Sequence, residues 1–231
     1  MTLEELKVKP KGKKIFICLL EGSQSTINYY SNDTVSLYVL THGKIFKQFI
    51  QTLIKDHKDV NVVIQFTTIE DVINIFNFLY TPDSTDFTIP FPITIAYDSA
   101  LYEKLQLSPD FIYAQQILRY ISLKHRANII SLPKVRDSVT LETVSQFYPV
   151  DDQSAKPIFD STAEQVNLYI PSSWDTWNKI IVQGKSALLP DSDHIIRDET
   201  KLQDLDSRYE KYLQKEYNMD QLLGKVESNG S

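Results

Sequence analysis

The run KKIFIC (13–18) leads into LLEGSQST (19–26), an apolar strand entering a turn of small and polar residues. A phosphate loop occupies such a junction. Its pattern G-x-x-x-x-G-K-[S/T] needs glycines so that backbone N–H groups can close on phosphates, and a lysine for the terminal phosphate. With Ser25 placed as the metal-binding hydroxyl, the two glycine positions hold Cys18 and Ser23, and the lysine position holds Gln24. The stretch reads as a degenerate loop or as a plain strand and turn. Both readings predict no bound nucleotide, no metal and no other cofactor.

Three further positions test the same chemistry. After the strand ending at Leu40, Thr41 stands where a magnesium-ordering aspartate of D-x-x-G belongs, leaving Gly43. Behind ITIAY (93–97), the base-reading N-K-x-D is Ile95-Ala96-Tyr97-Asp98, and only the aspartate survives. Behind ANIISL (127–132), Ser131-Leu132-Pro133 replaces Ser-Ala-Lys. Phosphate and Mg²⁺ binding needs loop, lysine and aspartate together. Only about eight residues separate Thr26 from the strand near Val35, too few for the helix, switch segment and strand of a working domain.

Other catalytic patterns are missing. There is no G-x-S-x-G elbow and no H-E-x-x-H. His42, His57, His125 and His194 are scattered singly, and a lone Cys18 excludes an intramolecular disulfide. The acidic pairs in DD (151–152) and PDSD (190–193) read as solvated turns. A net charge of −6 supplies no basic field for nucleic acid, and the basic run KVKPKGKK (7–14) reads as a solvated lead. No apolar run reaches the length of a membrane span, and MTLEELKVKPKGKK has no signal core, so the expected compartment is cytosolic.

The elements that would carry these residues alternate. KKIFICLL, TVSLYVL (34–40), VNVVIQF (60–66), ITIAY and ANIISL read as strands. KIFKQFIQTLIKD (44–56) has Ile45, Phe46, Phe49, Ile50, Leu53 and Ile54 at helical spacing. Thr68 with Asp71 forms a capping box before a second helix. Ser108 and Pro109 open a long helix to 126, and TLETVSQFY (140–148) reads as a short one. This is an α/β pattern: a degenerate small-GTPase-like sheet with helices on both faces, followed by a C-terminal helical extension. The expected organisation is a flexible lead (1–12), a degenerate G-like domain (13–150), an extension (151–217) and a flexible tail (218–231). In the extension, Leu202, Leu205, Tyr209 and Tyr212 repeat at 3-4-3 spacing along a charged helix (198–217), a seam made to lie on another surface, by packing within the chain or, as is expected, by docking on a partner. Trp174 and Trp177 stand in an otherwise irregular segment, large amphipathic groups that require burial within the chain or against a partner.

The segment VNLYIPSSWDTWNKI (166–180) resembles the one that follows the G-like domain in cytoplasmic dynein light intermediate chains, F-I-P-x-G-W-D-x-x-K-K-I. Ile170, Pro171, Trp174, Asp175, Lys179 and Ile180 match. Tyr169 replaces an aromatic residue, Ser173 replaces the glycine, and Trp177 and Asn178 depart. The strands and helices before it, and LDSRYEKYLQK after it, fall into register with that family over roughly residues 13–217. The resemblance implies a non-catalytic motor subunit, cytoplasmic and microtubule-associated, that binds the dynein heavy-chain tail in a complex holding the intermediate chain. Its expected partner-binding residues are Tyr169, Ile170, Pro171, Trp174, Asp175, Trp177, Lys179 and the seam Leu202, Leu205, Tyr209 and Tyr212. Met219, Leu222, Leu223 and Val226 form a short apolar pattern that could imitate the family's adaptor helix, set against a fraying tail. The rivals are a pseudo-GTPase adaptor in a ciliary dynein or a vesicle coat, and an active hydrolase with an unorthodox loop.

Overall fold

A computed structural model describes residues 13–20, 24–41, 43–66, 68–80, 87, 89–97, 111–131, 139–141, 144, 157–160, 167–185 and 194–224. Among the described residues, eight strands form one mixed sheet: β1 (Lys14–Leu20), β2 (Thr26–Ser31), β3 (Val35–Thr41), β4 (Val60–Phe66), β5 (Ile93–Tyr97), β6 (Asn128–Ser131), β7 (Ile158–Asp160) and β8 (Asn167–Ile170). Their spatial order is β2-β3-β1-β4-β5-β6-β8-β7. The five strands from β3 to β6 run parallel, while β2, β7 and β8 join by antiparallel pairing. Central strands of a parallel sheet bury both faces and read as continuous apolar runs. β4 accordingly is buried at all seven positions.

The helices are α1 (Lys47–Asp56, entered by a 3₁₀ turn at Gly43–Phe46), α2 (Ile69–Leu79), α3 (Phe111–His125), α4 (Trp177–Lys185), α5 (Glu199–Leu213) and α6 (Met219–Leu223). The capping box at α2 forms as expected: Asp71 N–H donates to Thr68 Oγ1 at 3.2 Å, and Thr68 N–H to Asp71 Oδ2 at 2.9 Å. All six helices contribute to one core with Ile15, Ile17, Leu19, Val62 and Ile64 from one sheet face. Phe16, Cys18, Leu37, Val63 and Ala96 from the other face pack with Val139, Leu141 and Val144. Among the described residues, only Leu141 and Val144 carry helical backbone on that second side. Ser108, Pro109 and most of 140–148 lie outside the described residues.

Four expectations change. β2 fills the interval before Val35 that the sequence left without an element. The segment 151–217 is not separate from the sheet, because β7 and β8 extend it past β6 through Ile129↔Ile170 and Ile130↔Tyr169. The charged helix expected over 198–217 is α5 and stops at Leu213, since Lys215 adopts a left-handed backbone at φ 65°. Part of the expected tail is also folded: Asn218 caps α6 with Gln221 in a second capping box, and Leu222 and Leu223 are buried.

Candidate functional site

The carboxyl ends of parallel strands, where the order reverses between β1 and its neighbours, are where an α/β sheet binds ligands. Here β1 ends at Leu20 and β2 begins at Thr26, so residues 21–25 are all that joins them. Five residues make less than two helical turns. That junction is shorter than the loop and following helix by which a working phosphate site aims N-terminal N–H groups at its ligand. Cys18 is fully buried within β1, and burial pushes its thiol up, which leaves it inert at neutral pH. Gln24 and Ser25 are exposed, while Ser23 and Asp98 lie outside the described residues. Thr41 Oγ1 accepts a hydrogen bond from Thr26 Oγ1 at 3.0 Å. Among the described loop positions, Cys18 is interior while Gln24 and Ser25 are exposed, so these three do not converge. Among the described residues no three His, Cys, Asp or Glu side chains converge on a metal position.

The tryptophan segment is built differently. β8 delivers Ile170 and Pro171 into the interior beside β6. A turn then closes, with Trp174 N–H donating to Pro171 O at 2.9 Å and Ser172 N–H to Asn128 Oδ1 at 2.8 Å. Asp175 turns inward and pairs with Arg119 of α3 in a fork: Nε donates to Oδ2 at 2.8 Å and Nη2 to Oδ1. Arg119 Nη1 also donates to Gln183 Oε1 of α4 at 2.6 Å. Trp177 packs part-buried on the main core, and Tyr169 on the second. Trp174 remains 37% exposed, with Lys179 Nζ 3.6 Å above its ring and donating to its carbonyl. A cation over an indole face holds the ring in place without covering its edge. Exposed Asn178, Val182 and Lys185 continue this surface along α4.

The predicted partner-binding residues thus divide. Trp174 and Lys179 form a surface platform, whereas Ile170, Pro171 and Asp175 are interior residues that fix its position. The seam of α5 is spent inside the chain. Leu202, Leu205, Tyr209 and Tyr212 are all buried in the main core. The expectation that this seam docks a partner is corrected: its apolar face covers α2 and α3. Tyr212 OH donates to Asn74 Oδ1 at 2.8 Å, and Tyr120 OH donates to Asp206. Lys124 of α3 pairs with Asp206 and Glu210 of α5. Sequence reasoning missed Arg119, Gln116 and Gly184. Their only signal is a polar or small residue at a helical position that periodicity marks as inward.

His125 is the buried titratable centre of the α3–α5 contact. Its Nδ1 and Nε2 lie 2.8 Å from Phe87 O and Tyr209 OH, and its ring stacks on Phe76 at 4.7 Å. Burial, reinforced by the Lys124 charge, lowers its pKa from 6.5 to about 4 against the favourable bond to Phe87 O. The unfolded chain therefore binds the extra proton first. Stability is full above about pH 6.5 and is lost as pH falls toward 4, by about 3 kcal/mol in total. Urea unfolding at stepped pH should show this slope, and His125→Gln should flatten it between those limits. An unchanged slope in the variant would place the titration elsewhere.

Fold and site together describe an α/β domain with a mixed sheet whose most distinctive described surface is the Trp174 platform. No family model and no curated protein matches the sequence. Among solved structures, the chain is similar to the conserved domain of a dynein light intermediate chain, over 81% of this chain and 96% of that one, with a TM-score of 0.50 and 17% identity. At that identity the likeness is one of fold, and it agrees with the fold expected from the sequence.

Proposed function

We propose that this chain is a non-catalytic accessory subunit of a dynein motor, a light intermediate chain, and that it docks on the heavy-chain tail through the Trp174 platform. The observation that carries the reading is the coincidence of two independent likenesses. The fold is similar to that of the dynein domain, and the segment resembling that family's post-domain motif is the one that presents a rigid, partly exposed indole. Large amphipathic aromatics on a fixed frame are what interface anchors are made of. Cytoplasmic, microtubule-associated placement follows from the same reading, as does company with the intermediate chain.

The test is capture from the protein's own cells. The tagged chain should retain a dynein heavy chain, and Trp174→Ala with Val182→Lys should reduce that retention about tenfold or more while the melting temperature stays within a few degrees. Recovery of a coat complex in place of a motor would overturn the assignment.

The hydrolase alternative is disfavoured by the five-residue junction between β1 and β2. Heating the protein with and without Mg²⁺-GTP or Mg²⁺-ATP should give superimposable curves. A ligand at a hundred times its dissociation constant stabilises by about 2.7 kcal/mol, so a reproducible upward shift would restore the enzyme reading.

A further inference from the structure

The main-chain directions at the free end of the sheet can be read from two hydrogen bonds. Asn32 N–H donates to Val35 O at 3.0 Å, closing the β2–β3 hairpin, and Lys14 N–H donates to Thr34 O at 3.1 Å from the other side. Antiparallel pairing alternates, so each strand residue turns its N–H and C=O either toward its partner or away. With Tyr30↔Leu37 and Asn28↔Val39 in register, Thr26, Asn28 and Tyr30 bond to β3. Ile27, Tyr29 and Ser31 turn their N–H and C=O groups outward. Among the described residues no strand lies beyond β2.

Natural edges are usually blunted by lysine, proline, a bulge or a covering element. β2 reads Thr-Ile-Asn-Tyr-Tyr-Ser, with no charge, no proline and no glycine, and pairs with β3 residue for residue without a bulge. Among the described residues, Lys13 donates from Nζ to Ser31 Oγ at 3.0 Å from outside the strand. Tyr30 is 49% exposed. Tyr29 meets Tyr38 at 4.8 Å with the rings tilted by 37°, and Tyr38 meets Phe49 edge-on at 5.5 Å.

We propose that β2 is a homotypic interface, pairing antiparallel with β2 of a second copy of this chain across a two-fold axis through Tyr29. The strand is self-complementary about that residue. Three outward-facing residues centred on Tyr29 satisfy each other across the axis with about six main-chain bonds. Ile27 then stands opposite the partner copy's Ser31, and Asn28 opposite its Tyr30. The Tyr29 side chains of the two copies then lie side by side across the axis. No like charges meet within the paired strands, which is the condition that the neutral sequence of β2 satisfies. Closure by a two-fold ends the growth that a bare edge would otherwise permit. Six residues of edge make a small interface, so the affinity expected is on the order of micromolar.

This inference is independent of the motor assignment. The full chain, purified, is measured by sedimentation equilibrium from about 1 to about 200 μM, a range spanning the affinity expected for so small an interface. The expected result is a concentration-dependent rise from one 26.7 kDa chain to two. Asn28→Lys with Tyr30→Lys sets lysine opposite lysine at exposed positions and should weaken association about tenfold or more with an unchanged melting temperature. Asn28→Glu with Tyr30→Glu should do the same alone, and a mixture of the two variants should associate as a heterodimer. A monomer throughout the range overturns the proposal. So does dimerisation indifferent to the lysines, or a mixture that fails to associate.

Discussion

Replacing Gly184 by alanine is expected to destabilise the chain by about 3 kcal/mol, a fall of roughly 6–12 °C in melting temperature for a chain of this length. A Cβ at Gly184 would stand 2.1 Å from the backbone oxygen of Ile196 and 2.7 Å from Gln116 Nε2. Neither can swing aside cheaply. Ile196 is buried, and its carbonyl accepts from Gln116 Nε2 at 2.8 Å while its N–H donates to Gln116 Oε1 at 2.9 Å. The same Nε2 donates to Ile180 O at 2.8 Å. One fully buried amide thus ties α3, α4 and the strap before α5 together, and Gly184 lets the strap lie against α4. Gln116→Met should have a similar effect, about 3 kcal/mol, because it removes the partner of the buried Ile196 N–H and C=O. The double variant should fall well short of the sum, since each change breaks the same junction. Full additivity in denaturant unfolding would show that Gly184 and Gln116 act separately.

The junction also shows which parts of the fold were legible. Strands β1, β3, β4, β5 and β6 are apolar runs or clean alternations, and the α2 capping box is local chemistry, so neighbouring residues specify them. β2 is half-exposed and polar, and its position at the edge follows from pairing with β3. β7 and β8 are three and four residues long, too short to carry a period. The α5 seam was readable as an apolar face, but spacing records only that a face is buried. What buries it is α2 and α3, more than 70 residues earlier in the chain. The break at Lys215 was equally hidden, because nothing in a lysine's side chain announces a left-handed backbone.

The Trp174 segment was located by pattern, yet the roles within it were not separable by pattern. Asp175 stands beside the tryptophan in sequence and reads as part of the same surface. Its partner Arg119 is 56 residues away, on α3, and nothing local to the tryptophan segment points to it. Only the fold shows that the aspartate faces in while the indole faces out.

Asp175→Ala is accordingly expected to act on stability first, by about 3 kcal/mol. The side chains of Arg119 and Asp175 are 12% and 4% exposed, so removal of the carboxylate strands a largely desolvated guanidinium. Arg119 would keep Gln183, a neutral acceptor, and the turn that presents Trp174 would lose its anchor to α3. Partner capture should then fall although Trp174 is intact. Removing both charges separates the two consequences. Replacing a buried pair by apolar residues of similar volume is often neutral or stabilising, so Arg119→Met with Asp175→Leu should recover most of the lost melting temperature. If the pair serves chiefly to hold the turn, the double variant should also recover partner capture to the degree that packing restores the indole's position. If stability returns and capture does not, the ion pair contributes orientation that apolar packing cannot reproduce. If neither returns, Arg119 and Asp175 do not act as a pair.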